Sequence, residues 1–267
     1  MKIKNLNFKN FAVAILAIII TSCSSSENAA DNTPTATQYI LPRKISTATS
    51  VTTINYNGNK LIESSSSPLN KEVTTYTGDF ITKQEKFSDG LSTRIENYAY
   101  YENGKLKTYY KKDVISNFEY ITTYVHNTTD IFFTERTKDI NVANSEFISN
   151  TGQIFITNGN ITKVIKVRND IANNQTQTTT STYEYDNKNN LTLNILGFNL
   201  LINQVSLVSV NNRTKVTTLS ELTVNGVAQP SSTSIETVTL AYNSNNYPIE
   251  RQQFLGLNSD PKIFIEY

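Results

Sequence analysis

Residues 101–106 read Tyr-Glu-Asn-Gly-Lys-Leu, and this pattern decides the fold. An aromatic residue closes a run of alternating side chains, a short turn rich in Asn, Gly or Asp follows, and an aliphatic residue opens the next run. Glycine and asparagine suit such turns because they accept a positive φ at low cost. The stretch therefore predicts a β-hairpin.

The same pattern occurs eight times, with openings 20 to 33 residues apart. The copies lie at residues 56–61, 76–81, 101–106, 125–131, 156–161, 185–191, 210–216 and 242–249. β-branched and aromatic residues alternate in the runs between them, as strands require. About sixteen strands would make an unusually large open sheet. We therefore predict an all-β fold, an antiparallel meander of about eight hairpins that forms one strongly twisted, curled or partly closed sheet.

The N-terminus has the features of an export signal. Three lysines precede an unbroken apolar run at residues 11–20. A run of this length is too short to cross a bilayer as a helix, which needs about 20 residues, but it suits a secretory signal.

The end of this run resembles the lipobox of bacterial lipoproteins. Ile20, Thr21 and Ser22 stand directly before Cys23, the single cysteine of the chain. The resemblance implies cleavage before Cys23 and acyl chains on its sulfur and amine, which together anchor a protein firmly. An ordinary signal peptide followed by a chance cysteine is the alternative. We expect residues 1–22 to be a lipoprotein signal peptide and Cys23 to be the lipid attachment site, so that the membrane is a partner.

The exported chain divides into a linker and one domain. Residues 23–37 are small and polar, which predicts a flexible tether, and residues 38–267 form a single β-meander repeat domain. Glu27 and Asp31 follow the lipobox, and acidic residues there resemble a surface-export signal of Bacteroidota lipoproteins. We expect the outer membrane, with the cell surface favoured over the periplasmic face.

Three further stretches carry a resemblance that covers nearly the whole chain. They are Leu41-Pro42-Arg43-Lys44-Ile45, residues 185–190 (Tyr-Asp-Asn-Lys-Asn-Asn) and residues 197–201 (Gly-Phe-Asn-Leu-Leu). With the hairpins, they resemble uncharacterised lipoproteins of Bacteroidota, especially flavobacteria, with Rhs/YD-like repeats. The resemblance implies a fold and a location but no activity. The chain departs from the Rhs pattern, because only Tyr185-Asp186 keeps the aspartate after the tyrosine.

Residues 193–210 form the most apolar stretch after the signal. Gly197 and Asn199 interrupt it, which favours a loop with a helical turn packed on one face of the sheet. A plain core strand is the alternative. A third interpretation is a lid or plug over a curved sheet, formed by Phe198, Leu200, Leu201 and Ile202.

Composition excludes several classes of protein. The chain has 24 basic and 23 acidic residues, so it lacks the positive charge of a nucleic-acid binder. One cysteine and one histidine rule out a disulfide framework and a Cys/His zinc cluster. His126 and Asp130 share a predicted hairpin loop, and no nucleophile-elbow, Walker or EF-hand pattern occurs. We expect no catalytic residue, no metal and no cofactor.

Three function classes remain open. The first is a non-enzymatic interaction or structural lipoprotein that presents a broad β surface to a protein or glycan. The second is a carrier of an apolar ligand on the concave face of the sheet, with residues 193–210 as a lid. The third is a glycan-directed enzyme, which the scarcity of catalytic side chains disfavours.

Overall fold

The computed structural model describes residues 39–256 and 258–267, and antiparallel strands make up most of them. The strands are β1 Lys44–Ser46, β2 Val51–Asn57, β3 Lys60–Ser67, β4 Asn70–Thr77, β5 Phe80–Ser88, β6 Leu91–Tyr100, β7 Leu106–Asp113, β8 Phe118–His126, β9 Ile131–Asp139, β10 Phe147–Thr157, β11 Asn160–Asp170, β12 Gln175–Asn189, β13 Asn211–Val224, β14 Val227–Ala228, β15 Ser232–Tyr242, β16 Pro248–Leu255, β17 Asn258–Ser259 and β18 Ile263–Glu266. A 3₁₀ turn, Phe198–Leu200, and one helical turn, α1 Val205–Val208, lie between β12 and β13.

The sheet closes into a barrel. Ile45 of β1 stands opposite Thr52 of β2 on one side and opposite Ile265 of β18 on the other. β14 and β17 only extend the tips of the β13–β15 and β16–β18 hairpins. Sixteen antiparallel strands therefore form the wall.

The all-β class is confirmed, but the predicted curled or partly closed sheet of about eight hairpins is wrong. A partly closed sheet would leave two edge strands with unpaired backbone groups, and the pairing of β1 with β18 satisfies both. The turn pattern is local, whereas the closure joins Lys44 to Glu266, which are 222 residues apart. Hairpin signals carry no information about that pairing.

Six of the eight pattern copies form tight turns, and all six lie at the same end of the barrel. The two other copies, residues 185–191 and 210–216, belong largely to β12 and β13. They flank residues 190–210, which connect β12 to β13 at that end. The predicted turn at 211–215 is therefore wrong, because those residues pair with β12.

Residues 190–210 fill this end of the lumen, and we call them the plug. Ile195, Phe198, Leu201, Ile202 and Val208 pack in one buried cluster with inward-facing aliphatic residues of the wall. The wall members are Ile54, Leu61, Ile81, Leu106, Ile131, Ile154 and Ile161. The main hydrophobic core thus lies inside one end of the barrel, which we call the plugged end. The opposite end, where eight connections join the strands, we call the open end.

Candidate functional site

The aromatic residues that close the repeats bridge neighbouring hairpins. The hydroxyl of Tyr100 donates to the Ile81 carbonyl at 2.8 Å, and that of Tyr185 donates to the Ile161 carbonyl at 2.6 Å. Tyr76 accepts the Leu61 N–H at 3.2 Å, and burial raises its pKa to about 12. Each bond reaches the residue that opens the return strand of the preceding hairpin, so the repeat is a structural device that aligns the plugged end.

His126 occupies one of these bridging positions. It is the last residue of β8, where the sequence suggested a loop position, and its Nε2 lies 2.7 Å from the Leu106 carbonyl oxygen. Asp130 accepts hydrogen bonds from Asn127 and Gln153. The histidine and the aspartate are therefore hydrogen-bonded to different partners.

The residues expected to act as a lid or plug lie within the plug. Phe198, Leu201 and Ile202 are buried, and Leu200 is half-buried. Movement of this segment as a lid stays a prediction.

Hydrogen bonds tie the plug to the wall on several sides. The Leu196 N–H donates to the Asn59 carbonyl at 3.0 Å, and the Leu196 carbonyl accepts from Tyr76 at 3.0 Å. Gln204 Nε2 lies 3.1 Å from Gln84 Oε1, so the plug also reaches the polar layer below it. These contacts tie the plug to the wall at several points.

A polar layer separates the plug from the open half of the lumen. The Tyr98 hydroxyl lies 2.7 Å from Glu96 Oε2 and from Gln84 Oε1. Arg94 joins this layer to Glu72, with Nη2–Oε2 at 3.2 Å and Nε to Glu96 Oε1 at 3.0 Å. Burial raises the pKa of Glu72, and the positive charge of Arg94 opposes that rise. Ionic side chains thus begin where the apolar core ends.

The open half contains a polar cavity of about 500 Å³. Register places Glu135, Asn150, Lys166 and Thr179 on the lumen side of four neighbouring strands. Tyr120 lines the same cavity. This half of the lumen therefore suits water and polar solutes.

A smaller cavity of about 180 Å³ lies between the plug and the inner wall near β1, β13, β16 and β18. Its lining is largely apolar, from Ile45, Leu191, Leu207, Leu240, Pro248, Ile263 and Ile265. Arg213 and Arg251 also line it. Arg213 pairs with Glu236, Nη2 to Oε1 at 2.6 Å, while Arg251 donates to the neutral amide oxygen of Gln253 at 2.7 Å.

These two arginines place guanidinium groups beside an apolar surface. Burial lowers the pKa of Arg251 and the charge of Arg213 adds to that effect, while the charges of Glu236 and Asp260 oppose it. Within the described residues, Arg213 Nε is buried without a hydrogen-bond partner. Sequence reasoning missed this site, although its signal is two arginines whose register places them on the lumen side, Arg213 opposite Tyr185 and Arg251 opposite Leu240.

The outer wall has the composition of a water-exposed surface. Ion pairs on this face join Lys44–Glu266, Lys71–Glu63, Lys215–Glu184 and Lys262–Glu250 between neighbouring segments, and Lys83–Glu85 within β5, with N–O distances of 2.6 to 3.1 Å. Threonine rows fill much of the rest, for example Thr178, Thr180 and Thr182 of β12. A membrane-spanning barrel instead needs a continuous apolar band, and each outward charge at the bilayer midplane costs roughly 2–4 kcal/mol.

Among the described residues, no helix is long and apolar enough to cross a membrane. In the same part of the chain, no group of three or more His, Cys, Asp or Glu side chains is placed to hold a metal ion. Cys23 and the lipobox residues Ile20, Thr21 and Ser22 lie outside the described residues, as do residues 1–22 and 23–37. Lipid attachment therefore stays a prediction.

Comparison with known proteins gives a likeness in fold. No family model matches the sequence, and no curated protein matches it significantly. Among solved structures, the chain is similar to a porin-like protein from Bacteroides vulgatus, with a TM-score of 0.56 and 15% sequence identity. The match covers 85% of this chain and 99% of that one. At this identity the likeness concerns the barrel fold alone.

Proposed function

We propose that the protein is a lipid-anchored outer-membrane lipoprotein with a non-enzymatic interaction role, carried out by a barrel that stands in water. The observation that carries this proposal is the ion-paired, threonine-rich outer wall. Such a wall is stable against water and costly against lipid. The fold of the porin-like neighbour supports the outer membrane as the location.

The plug supports a role other than conduction. A barrel of sixteen strands is wide enough to leave an aqueous channel, but here one end holds a packed apolar core in which Leu201 is fully buried. Solutes then have access to the polar lumen from the open end alone. The barrel is a cup, and its partners meet the outer wall, the mouth or the open half of the lumen.

The start of the barrel is compatible with an anchor at Cys23. Pro42 and Arg43 are held at the plugged end, where the Pro42 carbonyl accepts from Tyr56 at 2.9 Å and the Arg43 N–H donates to Glu266 at 2.6 Å. Sixteen residue steps separate Cys23 from Tyr39. A chain of that length spans at most about 55 Å, so a lipid on Cys23 allows the barrel to stand clear of the membrane.

The anchor is tested by growing cells with a labelled fatty acid and following the full-length chain. We expect wild type and a Ser25→Ala control to take up the label and to fractionate with the outer membrane. We expect Cys23→Ser to lose both. Unlabelled wild type, or Cys23→Ser that still fractionates with the outer membrane, would contradict the proposal. Protease added to intact and to permeabilised cells then distinguishes the cell surface from the periplasmic face.

A second candidate function, carriage of a small apolar anion, is favoured by the cavity that Arg213 and Arg251 line. A volume of about 180 Å³ suits a compact ring or a short chain. The apolar walls would hold that group, and the guanidinium of Arg251, whose hydrogen-bond partner is the neutral amide of Gln253, would pair with its carboxylate. The large apolar concave face expected for a lipid carrier is instead occupied by the plug.

Calorimetric titration with phenylacetate tests this candidate. We expect binding by wild type, loss of at least tenfold in affinity for Arg251→Gln, and unchanged affinity for Lys262→Gln, whose cation lies on the outer wall. Equal affinity in all three chains, or no binding by wild type, would remove the candidate.

A further inference from the structure

The most exposed apolar side chains of the described residues are gathered at one end of the barrel. All seven that are at least 55% exposed lie in or directly beside the connections of the open end. They are Leu69, Leu91, Ile115, Phe147, Ile171, Val227 and Leu255. Val51 and Val142 are exposed by 46% and 51%, and with them every one of the eight connections carries at least one such residue. We call these nine residues the crown.

The turns of the plugged end differ. Within these turns and at the residues directly beside them, the most exposed apolar side chains are Tyr101 at 38% and Phe80 at 36%, and both still pack against other side chains. Val125 at 54% and Ile156 at 41% lie farther back, within β8 and β10. Apart from the buried Tyr247, the remaining turn positions are glycine or polar and charged residues, mainly asparagine, glycine, threonine and aspartate, as is usual in tight turns. An apolar residue at every connection is therefore a property of the open end and not of the hairpins in general.

The fold itself does not explain the crown. Ile171 is 92% exposed and stands among Asp170, Asn173 and Asn174, whose side chains form the hydrogen bonds of the connection. Ile115 is 77% exposed beside a turn that Asp113 stabilises by accepting the Ser116 N–H. Aliphatic side chains held in water at such positions mark a surface that meets an apolar phase or partner.

We propose that the crown inserts into the interfacial region of a lipid bilayer, so that the open end of the barrel docks on a membrane surface. Strands in a sheet lie about 4.8 Å apart, so successive connections around the rim are about 10 Å apart or more. Crown residues are thus separate tips around a polar mouth, whereas a stable protein interface needs a contiguous packed centre. Separate tips can each enter a fluid interface independently.

The chain can present this end to the membrane on which we propose it is anchored. The described chain begins at the plugged end, and the wall strands, mostly of 7 to 11 residues, make a barrel about 25–35 Å high. The chain between Cys23 and Tyr39 can extend farther than that, to about 55 Å. The choice of this membrane rests on the proposed function, whereas the affinity of the crown for a bilayer does not.

Acidic residues accompany the crown. Acidic residues lie in or beside five of the eight connections, namely Asp89, Asp113, Asp139, Glu146, Asp170 and Asp260, against the single basic residue Lys262 in the described part of these connections. Binding that depends on aliphatic insertion should therefore be strongest on zwitterionic lipid and weaker on anionic lipid. On zwitterionic lipid, added salt should change the binding little.

The test is co-sedimentation of the chain from residue 23, carrying Cys23→Ser, with phosphatidylcholine vesicles. We expect the unlipidated parent to sediment with the vesicles, and the triple variant Leu91→Thr, Ile115→Thr, Ile171→Thr to partition at least tenfold less. A matched triple on the outer wall, Val125→Thr, Phe132→Thr, Ile235→Thr, should partition like the parent. Melting curves establish that each variant is folded.

Three results would overturn this inference. The first is a parent chain that remains in the supernatant with neutral vesicles, and the second is an equal loss of partitioning in both triple variants. The third is a dimer, found by light scattering, that forms in the parent and in the outer-wall triple but not in the crown triple. The last result would assign the crown to a second copy of the chain. Because the test uses an unlipidated chain, its outcome is independent of whether Cys23 is acylated.

Discussion

The two ends of the barrel solve the problem of a wide lumen in opposite ways. At the plugged end, aliphatic wall residues and the apolar plug form a dry core under polar turns. At the open end, the lumen is lined mainly by charged and polar residues, and the most exposed apolar side chains lie in or beside the connections. The side chains of a sixteen-stranded wall are too short to fill the lumen, so the stability of the barrel is concentrated where an inserted segment supplies a core.

Truncation of Leu201 should have the largest effect on this comparison. Its side chain is fully buried in the plug, and Leu201→Ala removes three side-chain carbons from this site, which costs about 2–5 kcal/mol. Leu222→Ala is the matched control. Leu222 is half-buried and faces the lumen in the open half, opposite Gln177. We expect the control to cost under about 1.5 kcal/mol. Urea unfolding measures both values, and equal losses would contradict the assignment of the core to the plugged end.

Substitution of Gly197 should have the next largest effect. Its φ is 80°, and a Cβ there would lie 3.2 Å from Ile81 Cγ1. Gly78 has a similar positive φ of 57°, but a Cβ there would meet no atom within 4 Å. Both alanine variants carry a backbone cost of about 1 kcal/mol, and Gly197→Ala should lose about 1–2 kcal/mol more because the plug must shift. Identical melting temperatures would show that the plug does not press on Ile81.

Loss of a bridging hydroxyl should have a smaller effect. Tyr100→Phe removes the bond to the Ile81 carbonyl at the plugged end and should cost about 1 kcal/mol. Tyr110→Phe removes a hydrogen bond of similar length to Glu119 on the outer wall, where water can replace the partner. This variant should lose only about a few tenths of a kcal/mol of unfolding free energy. Thermal unfolding compares the two, and a larger loss at Tyr110 would reverse the ranking.

The smallest effects concern pH. Burial raises the pKa of Glu72 in the folded barrel, so the protonated carboxyl favours the folded state and its ionisation disfavours it. The stability that the protonated form contributes is therefore lost as pH rises above about 4.5. The hydrogen bond from Lys83 lowers the pKa of Glu85 on the outer wall, so its contribution is present above about 4.5 and is lost as pH falls through the folded pKa.

Glu72→Gln should therefore flatten the decline of unfolding free energy above pH 4.5, and Glu85→Gln should flatten the decline below it. The outer pair is exposed, so its effect should stay under about 1 kcal/mol. Unfolding measured from pH 3 to pH 8 checks both signs. Changes of the same sign in the two variants would mean that the inner and outer walls do not differ in solvation.

The sequence determines the hairpins well because their signal is local. Gly104 and the residues around it set the β6–β7 turn on their own, with Gly104 at a φ of 80°. The turn predicted at residues 210–216 is wrong because Asn211 and Asn212 resemble turn residues but lie in a strand. Their side-chain amides donate to the Lys188 and Asn189 carbonyls across an irregular strand pair. A local pattern cannot distinguish these two uses of asparagine.

Closure and the positions of the sites depend on distant partners. Nothing near Ile45 identifies Ile265 as its neighbour. The apolar character of Phe198 and Leu201 predicted burial, but only the closed wall places them inside a lumen. The cavity lined by Arg213 and Arg251 and the crown likewise arise once the register decides which side chains face inward and which connections share an end.

In the proposed function, the barrel stands in water and is closed at one end. This is tested by purifying the Cys23→Ser chain from residue 23 without detergent and applying it to a planar bilayer. We expect a monodisperse protein in detergent-free buffer and no stepwise conductance, with or without Leu201→Ala. A chain that needs detergent to stay in solution and opens discrete channels would contradict it.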